Sequence, residues 1–203
     1  MTPEEFRGFV NSQNDSAILG LCLGEDMIPY VFEPEPDKWN TFRDFVSAEL
    51  GVARNDIRIV GSGRLGFSMK PRMKLKSFSD KSDIDVVIVN SAMFDWLWLA
   101  LLRAAYPRFP LTQTLGGWLR KRRNEIYTGW LTPLEIRLDL TIHGAKAKPV
   151  VEFNARWFNT LKLASQIPPR RHEDVSGRLY RSWEHAELYH LQSLAALRRS
   201  LTE

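Results

Sequence analysis

Asp83 and Asp85 stand two residues apart in Ser-Asp-Ile-Asp-Val-Val-Ile-Val. Gly61-Ser62-Gly63 closes an earlier apolar run, Ile57-Arg58-Ile59-Val60. Side chains two apart on a strand point to the same side, so the two aspartates present two carboxylates to one volume. Like charges held that close repel unless a cation lies between them. Carboxylates clustered without His or Cys suit a hard, oxygen-loving ion, Mg²⁺ first and Mn²⁺ as the alternate. Asp85 also falls in a strongly apolar strand, where an unpaired carboxylate costs several kcal/mol. The Gly-Ser turn answers a different need. Glycine lets the backbone approach an anion closely, and the Ser62 hydroxyl and exposed N–H groups can hydrogen-bond phosphate. Phosphates beside two divalent ions describe a two-metal phosphoryl or nucleotidyl transfer site.

A third acid is expected further along. Glu135 to His143 (EIRLDLTIH) alternates cleanly, with Ile136, Leu138, Leu140 and Ile142 on one side. Asp139 lies on the other side and is the favoured third metal ligand, with Glu135 and Glu152 as rivals. Asp80 precedes the motif in a loop and is not expected to be a ligand. His185 and His190 are five apart and share a helix face poorly, so a metal pair is not expected. Cys22 reads as a small core residue.

The elements that must position these groups follow from the spacing of apolar residues. Ile57–Val60 predicts a strand. Ile84–Val89, nearly continuously β-branched, predicts a strand buried on both faces. Trp39, Phe42, Phe45, Val46 and Leu50 recur at three and four. They predict a helix opened by Asp37 and stopped by Gly51. Ser91 caps a helix through Tyr106, on which Trp96, Trp98 and Leu101 are expected in the core. Residues 3–12 predict a short helix, Met27–Phe32 a strand, and 112–127 a helix interrupted by Gly116-Gly117. Val150–Phe153 predicts a short strand before a helix over 155–165, and Ser176–Leu201 predicts a last helix. The expected fold class is α/β (α+β), a mixed sheet flanked by helices with a C-terminal helix. A single domain spanning 1–203 would hold a core at about 39–153 and a helical segment at 155–203.

The chain has 203 residues and a formal charge of +4. That length buries a core without disulfides or structural metal. Seven Trp and eleven Phe argue against disorder. The lone cysteine excludes an intramolecular disulfide and a Cys-based zinc cage. The acidic N-terminus lacks a signal-peptide pattern, and the most apolar run, Trp96–Leu102, is too short to span a bilayer. A reducing cytoplasm and no membrane partner are the expectation. The net charge is a cancellation. Residues 1–57 carry 4 basic and 11 acidic side chains, 58–123 carry 13 and 4, and 124–203 carry 11 and 9. The centre attracts anions. Its densest parts are Arg58 to Lys76, with six cations and no acid, and Arg120–Arg123.

IVGSGRLGFS followed by SDIDVVIV resembles the nucleotidyltransferase superfamily that includes DNA polymerase β, poly(A) polymerases and the bacterial cyclic-oligonucleotide synthases. The resemblance covers roughly residues 39–143. It implies a polymerase β-like core in which Gly61 and Ser62 contact the triphosphate. Asp83 and Asp85 would hold both metals, and Asp139 would bind the catalytic metal and help deprotonate the attacking hydroxyl. Arg64 and Lys70 are further candidates for the polyphosphate. The gap from Ser62 to Asp83 is longer than the family usually shows, and the extra length is basic (Lys70, Arg72, Lys74, Lys76). It would bind nucleic acid or fold over phosphates. GRLYRSWEHAELYH near the C-terminus resembles small stand-alone nucleotidyltransferases of bacterial anti-phage operons. There Arg178 and Arg181 would reach the triphosphate or acceptor, and Tyr180 would stack on a base.

The implied partners are a nucleoside triphosphate and a nucleotide or nucleic-acid acceptor. The expected reaction is template-independent attack of a nucleotide or oligonucleotide hydroxyl on the α-phosphate, making a defence signal. Two alternatives stay open. One is a toxin-type enzyme that modifies tRNA or a protein, for which a partner protein encoded nearby would speak. The other is a catalytically silent domain that binds nucleotide or nucleic acid.

Overall fold

A computed structural model describes residues 1–25, 27–105, 122–133, 144–169 and 175–202. Among these, a small mixed sheet of four strands is flanked by helices on both faces. The strands are β1 (Ile57–Val60), β2 (Ile84–Val89), β3 (Trp130–Leu131) and β4 (Val175–Tyr180), in the order β1-β2-β4-β3. β2 runs antiparallel to β1 and parallel to β4, and β3 pairs antiparallel with the end of β4. The helices are α1 (Pro3–Ser12), α2 (Asp15–Leu23), α3 (Asp37–Leu50), α4 (Ser62–Leu65), α5 (Ser91–Ala105), α6 (Lys148–Ala164) and α7 (Trp183–Thr202). A further helical segment covers 122–127. None of the described helices is long and apolar enough to cross a membrane.

Strand parity divides the core in two. Ile57, Ile59, Ile84, Val86, Ile88, Val175 and Leu179 face α3, α5 and α6, where Phe42, Phe94, Leu97, Trp157 and Leu161 meet them. Val60, Val87, Val89 and Tyr180 face the other way, against Phe6, Val10, Ile18, Cys22, Leu194 and Leu197 of α1, α2 and α7. Covering both faces is what makes β2 read as one apolar run. By the same parity Arg58, Asp85, Ser176 and Arg178 point into the second layer, so the polar residues of the sheet gather on one side.

Several local expectations hold. The helix at 3–12 begins with a Thr2–Glu5 capping box. α3 ends at Gly51, which adopts the left-handed conformation at φ 69°. Others are corrected. Asp37 lies in the first turn of α3, after Pro36 at the cap position. Asn90, not Ser91, caps α5, its side chain accepting from Met93 N–H at 2.8 Å. Residues 30–32 form a 3₁₀ turn, not a strand, and bury the adjacent Val31 and Phe32 together, which alternation cannot do. Val150–Phe153 belongs to α6. Pro149 opens that helix, and Val150, Phe153, Trp157 and Leu161 recur at helical spacing. The expected helix from Ser176 is strand β4 followed by α7. Trp96 and Trp98 are 40% and 39% exposed, while Leu101 is in the core as expected. Residues 112–121 and 135–143, expected as helix and strand, lie outside the described residues.

Candidate functional site

The β1–β2 ladder pairs Val60 with Asp85, which brings the turn after β1 beside the strand that carries the carboxylate. Gly61 makes that turn at φ 64°, ψ −141°, a region nearly closed to other residues. A Cβ on Gly61 would come 3.6 Å from Asp85 Oδ2. Asp85 and the Gly61–Ser62 turn are therefore neighbours, although more than twenty residues separate them in sequence. Ser62 opens α4 and is half-buried. Asp83 is exposed and immediately precedes β2.

On the other side of Asp85 stands β4, not a strand at 135–143. Ser176 pairs with Asp85 in the parallel ladder, and its hydroxyl donates to Asp85 Oδ1 at 2.8 Å. Among the described residues Oδ2 accepts no hydrogen bond, which leaves one carboxylate oxygen for a ligand. Ser176 was hidden by the helical reading of its segment. The signal that could have found it is the alternation in VSGRLY, with Val175, Gly177 and Leu179 to one face and Ser176, Arg178 and Tyr180 to the other.

Arg178 lies two positions along from Ser176. Its guanidinium sits over the Tyr189 ring at 4.9 Å and the Trp130 ring at 5.7 Å. Burial opposes its charge, but Tyr189, Tyr180 and Asp85 outweigh burial and hold its pKa above the ordinary value. A fixed cation thus stands on the same face as Asp85. His190 of α7 closes the group from above, 9% exposed. Burial and the Arg178 charge, opposed by Asp85, push its pKa down to about 4.

Other expected site residues go elsewhere. Arg64 is 2% exposed and is committed to the backbone of α2. Its Nε donates to Leu21 O at 2.6 Å and its Nη2 to Gly24 O at 2.8 Å, at the C-terminal end of α2. Burial lowers its pKa. Arg181 follows β4 and pairs with Asp95 of α5 at 3.0 Å. Five residues of strand, about 17 Å, separate it from Ser176 and the site. Tyr180 is fully buried in the second layer, which denies it the base-stacking role. Arg122 is buried against Glu125 at 2.7 Å and so is not solvated surface. Lys70 is exposed on the loop after α4. Glu152 is exposed on α6 and pairs with Lys148 at 3.7 Å, away from any strand. Asp80 is exposed in the loop before Asp83. Asp139 and Glu135 lie outside the described residues.

The ligand atoms that the β1, β2 and β4 register brings together are oxygens, the Asp85 carboxylate and the hydroxyls of Ser62 and Ser176, with Asp83 just ahead of β2. Such a set fits a hard divalent cation and disfavours zinc or copper. Among the described residues no three His, Cys, Asp or Glu side chains gather into a complete metal cage. Asp83 and Asp85 stand two residues apart at the head of β2. None of the family models, curated proteins or solved structures compared with this chain matches it.

Proposed function

We propose that the chain is a metal-dependent nucleotidyltransferase with a polymerase β-like core. It joins an NTP or dNTP to a nucleotide or oligonucleotide hydroxyl without a template. One observation carries the reading: the β1–β2 register sets the Gly61–Ser62 turn directly beside the Asp85 carboxylate. A turn suited to phosphate and a carboxylate whose Oδ2 accepts no hydrogen bond among the described residues then address one volume.

The turn N–H groups and the Ser62 hydroxyl bind the triphosphate tail. Asp83 and Asp85 would hold Mg²⁺ or Mn²⁺, with Asp139 as third ligand. When bound, the metal neutralises charge on the reacting phosphate and eases deprotonation of the attacking hydroxyl. Ser176 fixes the rotamer of Asp85 by holding Oδ1, and Arg178 balances part of the local negative charge. The acceptor oxygen bonds to the α-phosphorus, the bond to the bridging oxygen of the β-phosphate breaks, and pyrophosphate leaves. The acceptor proton passes to a carboxylate. The product is read as a nucleotide signal made in a cytoplasmic anti-phage response.

The test is incubation with each labelled NTP and dNTP plus either metal, with products identified by mass spectrometry. Pyrophosphate release should fall at least about 10²–10³-fold in Asp83→Ala/Asp85→Ala. Undiminished turnover in that variant overturns the assignment. A labelled tRNA or protein would select the toxin-type alternative, and binding without any product would select the silent one.

A further inference from the structure

The basic stretch between α4 and β2 is a pinned hairpin. Phe67 bridges Ser77, Ser68 N–H donates to Lys76 O at 2.9 Å, and Phe78 N–H donates to Gly66 O at 2.7 Å. Its tip is a 3₁₀ turn, Pro71–Met73, followed by Lys74 and Leu75 at φ 45° and 57°. These two left-handed residues turn the Leu75 side chain inward, where it is 4% exposed. Phe67 packs on Phe6 of α1 with ring centroids 4.9 Å apart, and Met69 Sδ lies 3.5 Å from Cys22 Sγ of α2. The underside is thus anchored in the second core layer. The outer side carries Lys70, Arg72, Lys74 and Lys76, all exposed. None of the four makes an ion pair with another described residue.

The base of the hairpin adds an aromatic feature. Phe78 meets Tyr30 edge-on at 6.0 Å, and Tyr30 is 42% exposed. A Cβ on Gly66, itself at φ 83°, would stand 2.8 Å from the Tyr30 ring, so only glycine lets that ring lie where it does. The two rings line a shallow cavity of about 120 Å³ with Ser79, Asp80 and Glu33. Phe78 also lies against Gly63 of α4, which joins the cavity to the phosphate turn.

We propose that this hairpin docks a single-stranded polynucleotide. Its backbone phosphates lie along Lys70, Arg72, Lys74 and Lys76, and one of its bases stacks on Tyr30 beside Phe78. Four exposed cations gathered around one hairpin tip attract a polyanionic backbone. An exposed ring accepts any base face, while Ser79 and Glu33 at the cavity offer hydrogen-bond partners to a base edge. A bilayer has no use for a cavity lined by carboxylates, and the tip offers it only Pro71 and Met73 as apolar side chains. A duplex keeps its bases stacked on each other and out of the cavity. As the acceptor strand the polynucleotide rests on the transferase reading, but as a binding partner it does not.

The test is fluorescence anisotropy of a labelled RNA oligonucleotide about 12 nucleotides long, titrated with the full chain between 50 and 200 mM salt. Four neutralised phosphates predict a log–log salt slope near −3, from about −0.7 per phosphate. Lys70→Gln/Arg72→Gln/Lys74→Gln/Lys76→Gln should weaken binding at least about 10-fold at low salt and flatten the slope. Tyr30→Ala should weaken binding about 10-fold and leave the slope unchanged. Circular dichroism of both variants should match the parent, since every altered side chain is exposed. Absence of binding, equal binding by the quadruple variant, an unaffected Tyr30→Ala, or a preference for duplex RNA or phosphatidylserine vesicles each overturns the proposal. Asp83→Ala/Asp85→Ala separates the two readings. It should keep its RNA affinity, so loss of the transferase assignment leaves the docking surface standing, and loss of RNA binding leaves nucleotide turnover to be judged alone.

Discussion

Ser176 is a small residue with a large lever on Asp85. A hydrogen bond to a charged acceptor contributes about 1.5–3 kcal/mol. Ser176→Ala should therefore lower the urea midpoint by an amount equivalent to about 1.5–3 kcal/mol and, on the transferase reading, lower kcat by roughly tenfold or more, and Ser176→Thr should restore most of both. His190 carries a pH dependence of opposite character. Its folded pKa of about 4 lies below the unfolded value of about 6.5. The unfolded chain thus takes up a proton in a range where the folded chain does not. Stability falls as pH drops from about 6.5 to about 4, by about 3 kcal/mol in all, and this contribution is flat beyond either limit. His190→Gln should remove that part of the dependence in urea titrations run across the range. The groups facing the ring are Arg178 and Asp85, so the comparison needs both left intact. Of these residues, Asp85 was legible because a carboxylate in a β-branched run is anomalous wherever it occurs. Ser176 was not, because a serine at the head of a polar stretch equally suits a helix cap.

At the scale of elements, strand β4 separates what spacing can reveal from what pairing decides. β1, β2 and α3 were readable because each carries its own period and its own stop signal. β4 runs into α7 with only Arg181 and Ser182 between them, so one helical stripe from Leu179 through Trp183 to Leu197 fits both elements on paper. What makes 175–180 a strand is the neighbouring edge of β2. Gly177 then allows α6 to approach. A Cβ there would stand 2.9 Å from both Leu161 Cδ1 and the Trp157 ring. Gly177→Ala should cost about 1–3 kcal/mol through this overpacking, read as a lower urea midpoint with unchanged slope. Val150–Phe153 teaches the converse. Three β-branched or aromatic residues out of four resemble a strand until Pro149 and the repeat through Leu161 are counted together.

For the whole molecule, the uneven charge that the sequence displays becomes a division of labour. The acidic first quarter folds as α1, α2 and α3, and the basic centre supplies the hairpin and the Gly61–Ser62 turn. The two are not simply juxtaposed, since Arg58 of β1 binds Glu25 at 3.3 Å, and the first quarter is tied to the C-terminal helix as well, where Arg198 of α7 binds Asp15 of α2 at 2.6 Å. Cys22 gives a reporter of this assembly. It is 3% exposed, and burial pushes its thiol up to about 12. A thiol-labelling reagent should be inert towards the folded chain at pH 8 and react in step with unfolding in urea. Labelling that runs ahead of the circular dichroism transition would show that α2 opens separately.

The guanidinium of Arg64 ties the end of α2 to the turn that follows β1. Chain trimming is therefore transmitted to the turn beside Asp85. Removing residues 1–25 would take away both carbonyl acceptors and leave a guanidinium without them two residues from Ser62. The first helices act as a strut beneath that turn, and on the transferase reading a chain shortened from the front should lose its grip on triphosphate while every proposed acid is still in place.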